Sequence, residues 1–95
     1  MDKRLELFWS ELAEQCEMNQ NFVFIFQVEY WSHVWMPWDI YLDNKLYKPL
    51  KFSANDISED DLQTLIYLGL IEFIADIPTT DTTVMCAKKY RIKNK

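Results

Sequence analysis

Ile57-Ser58-Glu59-Asp60-Asp61-Leu62-Gln63-Thr64-Leu65-Ile66-Tyr67-Leu68-Gly69-Leu70-Ile71 holds a helix with both of its ends marked, and the start of a strand. Ser58 followed by Asp61 fits a capping box, in which each side chain accepts a hydrogen bond from a free N–H of the first turn. Ile57 and Leu62 take the N′ and N4 positions, where a hydrophobic staple fixes the entry angle. Glu59, Asp60 and Asp61 lie where the positive end of the helix dipole favours carboxylates. Leu62, Leu65 and Ile66 recur at helical spacing, and Gly69 is placed to end the helix in the left-handed conformation.

Beyond Gly69 the period changes from 3.6 to 2. Ile71, Phe73, Ala75 and Ile77 alternate with Leu70, Glu72, Ile74 and Asp76, which predicts a strand with one apolar face. Residues 78–82, Pro-Thr-Thr-Asp-Thr, have turn composition. The return strand places Val84, Cys86, Tyr90 and Ile92 on one side and Met85, Ala87, Lys89, Arg91 and Lys93 on the other. Lys88 falls on the apolar side and is expected to reach water at an edge.

The segment DDLQTLIYLGLIEFI, a loop and then KKYRIK resembles the last helix and wing hairpin of winged-helix domains. In that family a Leu-Gly-Leu-Ile ending leads into the wing and a Tyr-Arg-Ile closes it. The resemblance covers residues 57–93. The family places another helix just before this one, where the present chain reads as strands.

Ahead of it, residues 2–18 read as a helix capped by Asp2. Leu5, Phe8, Trp9, Leu12 and Cys16 fall on one stripe, and Asn19-Gln20-Asn21 end it. Leu7, Glu11, Glu14 and Met18 make a second stripe on the far side, either a partner surface or singly tolerated apolar residues. Residues 22–31 alternate without a helical face. Phe22, Phe24, Phe26, Val28 and Tyr30 share a side, and Val23 and Ile25 make the start of the other side apolar too, which predicts a central strand. Residues 32–37 form a loop with His33, Trp35 and Met36. Residues 38–42, a turn at 43–45 and residues 46–52 read as a hairpin, with Pro49 placing its last strand at an edge. The whole is an α+β single domain over residues 1–95, in the order α-β-β-β-α-β-β, with an antiparallel sheet and helices on one face.

Composition excludes more than it identifies. At 49% hydrophobic and 16% aromatic the chain is not disordered by composition. No apolar run has the length of a membrane span, and the charged amino terminus lacks a signal-peptide core, so the cytoplasm is the expected compartment. A single glycine removes the Gly-rich phosphate loops, and a single histidine, His33, removes a histidine-rich metal site. Cys16 and Cys86 lack metal-type spacing and read as buried free thiols. No catalytic group, cofactor or metal is expected.

Charge is distributed unevenly. All 15 acidic residues lie in positions 1–81 with five basic ones, a net −10. Positions 82–95 carry Lys88, Lys89, Arg91, Lys93 and Lys95 and no acid, a net +5. Eight aromatics lie between Phe22 and Tyr41, but that segment has no Lys or Arg to attend a base-stacking platform. Exposed tryptophans there would suit a protein interface better.

Two functions follow. The first is a small acidic non-enzymatic protein that binds another protein, such as an inhibitor, an immunity protein or a phage-type anti-defence factor. It would use Leu7, Glu11, Glu14, Met18, Trp35 and Trp38 against a partner with a basic surface. The second, implied by the winged-helix resemblance, is a DNA-binding transcriptional regulator using Lys88, Lys89, Arg91 and Lys93. Its helix begins Glu59-Asp60-Asp61, which would set three carboxylates against phosphate.

Overall fold

The computed structural model describes residues 2–29, 38–43, 50, 52, 57–78 and 84–93, without the side chains of Glu29, Trp38, Val84, Met85 and Cys86. Its elements run α1 (Lys3–Met18), β1 (Val23–Glu29), β2 (Trp38–Leu42), α2 (Glu59–Tyr67), β3 (Ile71–Asp76) and β4 (Val84–Ile92). The four strands form one antiparallel sheet in the order β2-β1-β4-β3. This is the expected α+β class, with β1 central. The loop at 32–37, with His33 and Trp35, and the turn at 79–82 lie outside the described residues. Most of the strand expected at 46–52 does so too. Leu50, from that span, donates its N–H to the Ile40 carbonyl at 2.8 Å.

The ladder partners show why one face is apolar. Phe24 stands opposite both Leu42 and Tyr90, Phe26 opposite Ile40, and Ile71 opposite Ile92. These residues are buried together with Leu5, Phe8, Leu12 and Cys16 of α1 and Ile57, Leu62 and Leu65 at α2. Both helices therefore cover the same side of the sheet. Aromatic contacts reinforce this core: Phe24 stacks on Tyr90 across the β1–β4 pair with ring centroids 5.5 Å apart, and Phe52 meets Phe8 of α1 edge-on at 4.8 Å. Each fully buried Leu or Phe here is worth about 2 kcal/mol relative to exposure. On the opposite face, Ile25 is also buried, between its ladder partners Tyr41 and Lys89.

Both helices end in the same device. In α2, Gly69 takes φ +76°, its N–H meets the Ile66 carbonyl, and the Leu70 N–H meets the Leu65 carbonyl. This double bond is a Schellman motif. In α1 the equivalent residue is Gln20, at φ +51°, with Gln20 N–H on Glu17 and Asn21 N–H on Cys16. Two carbonyls there also accept side-chain amides, Gln15 from Asn19 Nδ2 at 2.8 Å and Glu17 from Gln20 Nε2 at 2.7 Å.

Two local expectations need revision. The alternation along β3 breaks at Ile74, where a bulge between Phe73 and Ala75 brings Asp76, not Ala75, level with Lys88. An extra residue shifts every later side chain to the other face. Lys88 does not simply run to water, because it forms an ion pair with Glu59 in the first turn of α2. The expected capping box of α2 is present, and Asp61 Oδ2 receives the Ser58 hydroxyl at 3.3 Å as well as its N–H at 2.8 Å.

Candidate protein-binding surface

The first helix sets its core stripe so firmly that its opposite side is fixed as well. Asp2 accepts the Leu5 N–H at 2.7 Å, and Leu5, Phe8, Leu12 and Cys16 are buried. The far side then carries Leu7 at 45% and Met18 at 68% exposure, with Glu14 exposed and Glu11 half-buried between them. Leu7 and Met18 are about 16 Å apart along the axis at 1.5 Å per residue. The structure thus brings Leu7, Glu11, Glu14 and Met18 onto one face. Trp35 and the Trp38 side chain lie outside the described residues.

Glu14 and Met18 also belong to a shallow depression lined by Ser10, Ala13, Glu17 and Gln20. Those four residues were not anticipated. Ser10 and Ala13, at i and i+3, are neighbours on the helix surface there.

Carboxylates gather at the C-terminal end of α1. Glu17 lies in its last turn, Glu14 just before it, and no basic residue stands there. The dipole makes this end negative, so carboxylates are disfavoured on it. Glu11, Glu14 and Glu17 repeat at i, i+3, where like charges repel. The amides of Asn19 and Gln20, which are neutral, occupy carbonyls that Lys or Arg commonly serve.

The basic hairpin presents the reverse picture. Lys88 pairs with Glu59, Arg91 with Glu72, and Lys89 Nζ lies 2.8 Å from Asp43 Oδ2. The hydrogen bond that Lys88 donates to the Glu59 carboxylate holds its ammonium above the ordinary value despite partial desolvation. Of the four hairpin cations named above, three are thus matched by the protein's own carboxylates, while Lys93 is exposed. The helix α2 that the winged-helix resemblance would present to DNA begins with Glu59, Asp60 and Asp61.

Other chemistry is sparse. Burial pushes the Cys16 thiol up to about 11, so it is a poor nucleophile. Among the described residues no three His, Cys, Asp or Glu side chains converge on a point where a metal would bind. No described helix is long and apolar enough to cross a membrane. No family model, curated protein or solved structure matches the chain.

Proposed function

We propose that this chain is a small, acidic, non-enzymatic protein of the inhibitor, immunity or anti-defence type, which acts in the cytoplasm by occupying a surface of another protein. The observation that carries this is the outer face of α1, where exposed Leu7 and Met18 frame carboxylates. Apolar contacts in such a patch supply affinity, and the acidic field steers a basic partner and speeds encounter. DNA binding is the less favoured function, because Lys88, Lys89 and Arg91 already have carboxylate partners in the fold. A phosphate backbone would have to displace them.

A pull-down from the source cells, read by mass spectrometry, tests the proposal with three baits. Wild type and a Lys88→Gln/Lys89→Gln/Arg91→Gln variant are expected to retain the same protein. A Glu11→Lys/Glu14→Lys variant is expected to lose it, with slower association and a weaker salt dependence for the purified pair. Loss confined to the hairpin variant would overturn it.

A further inference from the structure

We draw no further inference here: the strongest candidate, the exposed apolar side chains of Tyr67, Leu68, Phe73 and Ile74 at the end of α2 and along the edge strand β3, carries nothing, because the bulge at Ile74 interrupts the ladder that an added strand would join and nothing in the structure shows what covers these side chains.

Discussion

Arg4 in the first turn of α1 and Asp61 in the first turn of α2 are joined by a 2.9 Å hydrogen bond from Nη2 to Oδ1, across 57 positions of sequence. The same carboxylate receives the Ser58 N–H at 2.8 Å on its other oxygen. One side chain therefore caps α2 and fixes where the two helix starts meet.

Asp61 should be the most sensitive polar position at this junction. Burial pushes its carboxyl up, but hydrogen bonds from Arg4 and Ser58 and the Arg4 charge outweigh that and hold it below the usual aspartate value. Such a group adds stability that is present above its unfolded value and lost as pH falls through the folded one. Asp61→Ala should cost about 1–2 kcal/mol at neutral pH in urea unfolding. Asp61→Asn keeps an acceptor for Ser58 and loses the charge, so its deficit should fade below about pH 4. A deficit that persists undiminished in acid would show that the charge contributes nothing.

The two Schellman ends should respond with opposite signs. A Cβ added at Gly69 meets nothing within 4 Å, so any cost there comes from the backbone at φ +76°. Gly69→Ala should destabilise by about 1 kcal/mol, and Gly69→Val by about 1–3, because a β-branched side chain resists that conformation most. Gln20→Gly relieves the same strain in α1 and should stabilise by about 0.5–1 kcal/mol. Denaturant midpoints measure both. A loss on Gln20→Gly would mean that the bond from its amide to Glu17 outweighs the backbone strain.

Cys16 should behave as a core residue and not as a thiol reagent. It is fully buried among Leu5, Phe8 and Leu12, and its raised value leaves little thiolate at neutral pH. In a Cys86→Ser background, disulfide-exchange labelling of Cys16 should keep pace with global unfolding as urea is raised. Rapid labelling of the native protein would contradict its burial.

Periodicity made the helices legible because their buried stripes are uninterrupted. Leu5, Phe8, Leu12 and Cys16, and then Leu62 and Leu65, stand one or two turns apart, and Asp2 and Gly69 mark ends with local chemistry. β1 was legible as central because Phe24 and Ile25, which face opposite ways, are both apolar. The bulge at Ile74 was not legible, since Phe-Ile-Ala reads as unbroken alternation and only the pairing with β4 reveals the extra residue. The Lys88–Glu59 pair was hidden for a similar reason. Its partners come from different elements, and nothing local to either one signals the other. On α1 the exposed stripe of Leu7, Glu11, Glu14 and Met18 was legible as a face, whereas Ser10, Ala13, Glu17 and Gln20 beside it carry no periodic apolar signal.

The basic hairpin gives the last prediction, because its charges distinguish a structural role from a DNA-contacting one. Lys88 stands on the helix-covered side of β4, at the register of Asp76, and its ammonium meets Glu59. Lys89 and Arg91 stand on the other side and reach Asp43 and Glu72. These pairs tie β4 to α2, to the end of β2 and to β3. Partly exposed pairs are worth roughly 0.2–1 kcal/mol each, so Lys88→Gln/Lys89→Gln/Arg91→Gln should lose about 1–2 kcal/mol of stability in all. The value for Lys88 is raised, chiefly by the hydrogen bond to Glu59. Its share is therefore fully present below the unfolded lysine value and should be lost as pH rises beyond about 10.5 through the folded one. Glu59→Gln should remove that alkaline dependence while leaving the Asp61 acid limb in place. On duplex DNA at low salt, neither wild type nor the triple variant should bind, since phosphate contact requires these cations to leave their partners and meets Glu59, Asp60 and Asp61 nearby. Wild-type binding that weakens steeply with salt, and that disappears in a triple variant of undiminished stability, would reverse both conclusions and make the hairpin a nucleic-acid contact.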